Sequence, residues 1–298
     1  MTTINVSSGS TYSNATAANN QITVLDGGIV TAAVISGAGA TETVSSGGVV
    51  SATIVRKYAT QEVLDGGVVS ATFVSSAGQQ NVSAGGIVIG TTVSFGGNQT
   101  IFSGGVVSAT TLSRGSQDVS SGGVVRDTIV SSGGNQLVYD GGVVSGTTVS
   151  YGGNQDVSSG GVVSATTVTN GGNQLVNDGG IVIDTTVTDN GYQIVYAGGV
   201  VSATTLIMNG IQSIQEGGVV SGTTISSGGQ QYISSGGVVS ATIVSSAGAQ
   251  FIQVGGVVSG TTVSSGGTQY ISTGGVVSAT TISRYLDADS QARVPIAA

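Results

Sequence analysis

Apolar residues along this chain come in short alternating runs bounded by polar bends. A representative block runs Gly255-Gly256-Val257-Val258-Ser259-Gly260-Thr261-Thr262-Val263-Ser264-Ser265-Gly266-Gly267-Thr268-Gln269-Tyr270-Ile271-Ser272-Thr273. No stretch carries apolar residues at the i, i+3, i+4, i+7 spacing of an amphipathic helix. Valine and threonine favour strands, whereas clusters of glycine, serine, asparagine and aspartate favour turns. The pattern predicts about three short strands per block, Gly-Val-Val, Thr-Thr-Val-Ser and Gln-x-Val-Ser. Two glycine-rich corners and one Ser-Ala or Ser-Gly bend separate them.

The block recurs. Gly-Gly followed by Val or Ile and then Val occurs fourteen times, first at Gly27 and last at Gly274. Eleven of the thirteen steps are 19 residues, one is 20 (Gly27 to Gly47) and one is 18 (Gly104 to Gly122). A fixed period of this length is the signature of a solenoid, in which each coil buries its apolar side chains against its neighbours. The expected organisation is an N-terminal cap and degenerate first coil over 1–26, a repeat array over 27–283, and a C-terminal cap and tail over 284–298, where Tyr285-Leu286-Asp287-Ala288-Asp289 and Pro295 leave the pattern.

Comparing copies within the chain assigns side-chain directions. The residue after the glutamine is Leu137, Asp156, Leu175, Ser213, Tyr232, Phe251 or Tyr270. A position that accepts all of these faces water, so its neighbours face inward, because strands alternate. The inward neighbours are a Val or Ile column (Val138, Val157, Val176, Ile233, Ile252, Ile271) and a glutamine column of twelve copies from Gln61 to Gln269. At a coil spacing of about 4.8 Å, stacked amides can donate and accept along the axis and satisfy one another. The alternative is that glutamine marks a half-exposed corner. The first Thr of Thr-Thr-Val points inward with Val55, Val74, Val93, Val149 and Val263, while the second, replaced by Ile54, Phe73, Ile129 and Ile243, points outward. The second valine after Gly-Gly is inward, and the row after it is outward, because it holds Arg126, Ile89 and Ile183.

Composition narrows the functional classes. Charged residues make up 7% of the chain and aromatics 4%, with 52 glycines, one proline and no histidine, cysteine or tryptophan. Paired glycines at this period exclude collagen. The net charge of −8 leaves no basic footprint for nucleic acid, and no apolar run reaches the roughly 18 residues of a membrane helix. Without cysteine there is no disulfide and no thiolate metal site. The first residues, MTTINVSSGSTYSNATAANN, lack the basic and apolar regions of a secretory signal.

The block G-G-V-V-S-[A/G]-T-T-V-S-S-G-G-x-Q resembles the AIDA-type repeat of bacterial autotransporter adhesins over nearly nine-tenths of the chain. The resemblance implies an all-β fold, a single-stranded right-handed parallel β-helix of about 14 coils. It also implies display at the cell surface or secretion, and roles in adhesion, autoaggregation and biofilm formation. In some members of the family, repeat serines carry heptose added by a dedicated bacterial glycosyltransferase. Neither the export signal nor the membrane β-barrel of a full autotransporter, with its alternating strands of about ten residues, is visible in this chain.

The residues offer little for catalysis. Without His or Cys the usual nucleophile–base pairs cannot form. The acids Asp26, Asp65, Asp140, Asp178 and Glu216 sit just before Gly-Gly, where turn chemistry already accounts for them. There is no phosphate-binding Gly-Lys-Ser/Thr motif and no calcium-binding Gly-Gly-x-Gly-x-Asp repeat, so no catalytic, cofactor or metal residue is expected. Two outward features remain. Ser51, Ser70, Ser108, Ser164, Ser202, Ser240, Ser259 and Ser278 form one column of candidate sugar acceptors, and Tyr232, Phe251 and Tyr270 align over three coils as a candidate self-association surface. The expected function is a non-enzymatic surface or extracellular β-solenoid rod, binding itself or host and matrix glycans. Its alternatives are an end-to-end filament and, behind that, a carbohydrate-active β-helix enzyme.

Overall fold

A computed structural model of the chain describes residues 3–14 and 16–283. The C-terminal cap and tail expected over 284–298, with Asp287, Asp289 and Pro295, lies outside the described residues. Every element of regular structure among them is a β-strand, and the chain divides into two compact units, Met1–Thr147 and Thr148–Ala298.

Each unit is a parallel β-solenoid. In the second, the block beginning at Gly255 forms strands Val257–Ser259, Thr262–Val263 and Thr268–Ile271. Each strand pairs in parallel with its counterpart one coil away, as Val258 with Val277 and Gln250 with Gln269. Within each unit the glutamine-type strands form one sheet, and the other two strands of each coil form a second sheet. Counting the glutamine-type strands gives fifteen coils against the fourteen expected, eight in the first unit and seven in the second. Residues 1–26 contribute the strands Thr3–Val6, Thr11–Ser13, Thr16–Ala18 and Gln21–Val24, in register with the coils above them (Ile4 opposite Ile22, Ile22 opposite Glu42). The unequal steps leave the register intact. Gln99 pairs with Gln117 across the 18-residue step, because the shortening falls in the bend at Arg114-Gly115.

The core is a set of aliphatic columns. Val50, Val69, Val88, Val107, Val125 and Val144 form one in the first unit, and Val168, Val187, Leu206, Ile225 and Val244 form another in the second, all essentially without solvent contact. The expected column Val138, Val157, Val176, Ile233 and Ile252 is buried as the alternation requires, while Ile271, in the last described coil, is half-buried. A single coil offers only about three such side chains, so burial comes from the coils above and below, as in a nearest-neighbour assembly.

The two glycines of a corner have different reasons for being glycine. Gly198 adopts φ +74°, a left-handed conformation that L side chains rarely take. Gly199 does not. A Cβ built on it would stand 2.5 Å from the Val176 carbonyl oxygen, so the second glycine is required by close approach of one coil's backbone to the next. The Ser-Ala bend is a further left-handed position. Ala203 and Ala241 hold φ +55° and +53°, where neighbouring coils have Gly222 and Gly260 at +68° and +66°. In three coils of the second unit the ladder pairing continues across this bend, so the strands Val162–Val168, Ile181–Val187 and Val200–Leu206 each contain a left-handed residue, Ala165, Asp184 and Ala203.

Candidate functional site

The inward polar column is a buried hydrogen-bond ladder whose glutamine amides are engaged with one another rather than with a ligand. Gln193 Nε2 donates to Gln174 Oε1 at 2.6 Å, and Gln212 Nε2 donates to Gln193 Oε1 at 2.6 Å. The first threonine of Thr-Thr-Val completes the pattern, as when the Thr204 hydroxyl donates to Gln193 Oε1 at 3.3 Å. The same geometry runs through the first unit, where Gln80 donates to Gln61 at 2.6 Å and Thr72 donates to Gln61 Oε1 at 3.2 Å. Every glutamine of the inward column, from Gln61 at its start to Gln269 at its end, is buried, so the corner alternative does not hold. Between strands about 4.8 Å apart, an extended amide spans the gap to its copy, which offsets the desolvation that an isolated buried amide would suffer.

Function therefore has to be sought outside. The serine column lies in the strands after the second valine. Ser51 and Ser70 are adjacent in the first unit; in the second, Ser164, Ile183, Ser202, Ser221, Ser240, Ser259 and Ser278 stand in consecutive register. The serines through Ser259 are half-exposed, as is Ser108, while Ile183 and Ser278 are exposed. Ser145 and Ser221 belong to the same column, and only the choice of copies compared leaves them out of a reading by sequence. More exposed hydroxyls occupy the corners before Gly-Gly, at Ser46, Ser103, Ser121, Ser159 and Ser235.

The aromatic row is real. Register places Ser213, Tyr232, Phe251 and Tyr270 above one another. Tyr232 and Phe251 stack at 4.7 Å between centroids with 8° between planes, and Phe251 and Tyr270 stack at 4.8 Å with 5°. Tyr270 is 42% exposed and the other two are half-exposed. Tyr232 hydroxyl bonds Gln230 Oε1 at 2.5 Å, which fixes its ring. The faces are used by the rings themselves, so edges and hydroxyls are what the row presents. Phe95 and Tyr151 protrude at corners, and Arg114 lies 5.9 Å over the Phe95 ring.

A further outward column is formed by the first valine of each block. Val143, Ile181, Val200, Val219, Val238 and Val257 are 38–44% exposed. Copy comparison leaves this position without a direction, because a residue that alternates only between valine and isoleucine gives no contrast. Strand alternation against the buried second valine is the signal that places it outside.

Carboxylates are scattered. In the second unit an open depression of about 710 Å³ is lined by Asp178, Tyr196, Ala197, Gln215, Glu216 and Gly217, with the two acids on corner rows either side of Ala197. Glycoside cleavage needs one carboxyl held as an acid by burial beside a second carboxylate, and both of these stand exposed. Asp118 and Asp156, on outward strand positions, are half-buried, and burial raises both above the usual aspartate range; the Asn98 amide opposes this at Asp118. Among the described residues no group of three or more metal-ligating side chains converges, and no helix is long and apolar enough to cross a membrane.

These features define a parallel β-solenoid of 19-residue coils whose chemistry is confined to repeated surface rows. No protein-family model matches the chain, and no curated protein does. Among solved structures, a crystal structure of a TibC-catalysed, hyper-glycosylated fragment of TibA is 34% identical, with a TM-score of 0.76 over 96% of this chain and 97% of that one. The chain belongs to the AIDA-type repeat family of autotransporter adhesin passengers. Two tailspike structures, Dettilon gp208 (12% identity, TM-score 0.27, 94% of this chain and 62% of that one) and the siphovirus 9NA receptor-binding domain (9%, 0.21, 100% and 72%), share too little geometry to bear on it.

Proposed function

We propose that this chain is a non-enzymatic adhesive segment, displayed at a bacterial surface or secreted, whose outward serines accept sugar from a glycosyltransferase and whose aromatic row makes contact with further copies. The observation that carries the reading is the 34% identity with hyper-glycosylated TibA over almost the whole of both chains. The geometry is in keeping with it. The polar interior is consumed by its own ladder, the outer rows repeat hydroxyls coil after coil, and the exposed carboxylates lack the burial that acid catalysis uses. Host or matrix glycans are the second class of partner the reading allows, taken by tyrosine edges and side-chain amides and hydroxyls. The five acids and no cation at residues 148–283 disfavour polyanions.

The test is a settling assay on cells displaying the chain, compared with cells displaying a Tyr232→Ser, Phe251→Ser, Tyr270→Ser variant at equal surface density. The reading expects clumping by the first and its marked loss in the second. Cells that remain dispersed with the native chain, in both unmodified and sugar-modified form, would remove self-association from the proposal.

A further inference from the structure

The glutamine ladder has a direction, and that direction creates a problem at its first rung. Each Nε2 donates toward the preceding coil, so the first amide needs a preceding residue that accepts. Counting 19 residues back from Gln61 reaches Glu42, which is fully buried in strand Thr41–Val44 and accepts from Gln61 Nε2 at 2.6 Å through Oε2. Below Glu42 the column turns apolar. Its partner there is Ile22, and the row that carries Thr53 one coil above carries Ala33. An amide at position 42 would aim its hydrogens at these two side chains, neither of which accepts. A carboxyl group avoids that. Glu42 Oε1 and Thr53 Oγ1, however, are both buried with no hydrogen-bond partner, although in the next coils the equivalent threonines bond the ladder (Thr72 to Gln61 at 3.2 Å, Thr91 to Gln80 at 3.0 Å). A proton on Oε1 would be given to Thr53 Oγ1 and would satisfy both atoms at once.

We propose that Glu42 is the terminal acceptor of the first unit's ladder and a proton-linked latch on the coils that precede it, closed when the carboxyl is protonated and loosened when it ionises. Glu42 is the one charged residue among the buried polar residues described. The charged groups on or beside the strands that pack against it are Asp26, Arg56, Lys57, Glu62 and Asp65, and all lie on the outer surface, four exposed and Glu62 half-buried. No cation therefore compensates the buried carboxylate. In agreement, burial pushes the Glu42 carboxyl up to about 7, against the smaller opposing pull of the Gln61 amide and of the Thr53 hydroxyl, which stands near the carboxyl without completing a hydrogen bond to it. A value raised on folding means that stability is fully present in acid and is lost as pH rises through about 7.

Hydrogen exchange of the whole chain tests this, with rates corrected for the intrinsic effect of pH. Protection of strands Thr3–Val6, Gln21–Val24 and Thr41–Val44 should rise roughly fiftyfold to hundredfold between about pH 8 and about pH 5, while Tyr192–Val195 in the second unit does not follow. Glu42→Gln, and independently Glu42→Leu should the first variant fold poorly, should each abolish the pH dependence in those strands. Wild-type protection that is flat with pH, an equal change at Tyr192–Val195, or a pH dependence that survives in a folded Glu42 variant would each overturn the proposal.

Discussion

Replacing Gln193 by leucine removes one rung from the middle of the second unit's ladder at nearly constant volume. Three hydrogen bonds disappear, the donation to Gln174 at 2.6 Å and the bonds accepted from Gln212 at 2.6 Å and Thr204 at 3.3 Å. Their loss is uneven. Gln174 Oε1 keeps the Thr185 hydroxyl at 3.2 Å, so the acceptor side is still served. On the donor side, Gln212 Nε2 keeps one bond to Thr204 Oγ1 at 3.2 Å and has a second hydrogen stranded, and the Thr204 hydroxyl loses its acceptor. Two buried donors without partners cost about 1–3 kcal/mol each, which the better burial of leucine partly offsets, leaving a net loss of about 2–4 kcal/mol. A solenoid need not unfold in one step, so a single melting temperature is the wrong measurement. Site-resolved hydrogen exchange is the right one. Protection in Asn173–Val176, Tyr192–Val195 and Ile211–Ile214 should fall at least tenfold, and coils farther along should change little. A change below about 0.5 kcal/mol would refute the reasoning, since it would mean that the amides are not paired as described.

Other substitutions probe other parts of the account. Gly210→Ala places a Cβ 2.0 Å from the Val187 carbonyl oxygen and should destabilise by about 2 kcal/mol or more, seen as local loss of exchange protection or failure to fold. Ala241→Gly relieves a left-handed alanine at φ +53°; the relief of about 1–2 kcal/mol outweighs glycine's entropic cost of about 0.5–1 kcal/mol, so denaturant titration should show a small gain. Asp156 lies above its free value through burial and its Oδ1 has no partner, so its contribution is greatest in acid and is lost as pH rises through the carboxylate range. Asp156→Asn should flatten that part of the stability–pH profile and raise stability near neutrality; an unchanged profile would contradict it.

Much of this structure is legible in the sequence because the chain contains its own comparison set. Variation at the position of Tyr232, Phe251 and Tyr270 exposes that row, and alternation then buries Gln231, Gln250 and Gln269 beside it. The same method is blind where copies agree. The first valine and the two glycines of each corner hardly vary, so the outward direction of Val200 and the separate reasons for Gly198 and Gly199 come only from backbone geometry. Glu42 is hidden for a different reason. The glutamine column begins at Gln61, and the exception that starts it is found only by asking what the first donor has to meet. The role of the outward rows is least legible, because a hydroxyl that serves solubility and one that accepts sugar have the same sequence pattern.

That last distinction is settled by mass. The chain should be produced with and without TibC, the enzyme that modifies the TibA fragment, and its intact mass measured, followed by mapping of any modified residue. The account predicts increments of one sugar mass in the first preparation only, confined to outward serines such as Ser202, Ser240 and Ser259 or the corner serines Ser159 and Ser235. An unmodified mass in both preparations, or sugar on the buried Ser75, Ser94 or Ser150, would contradict it.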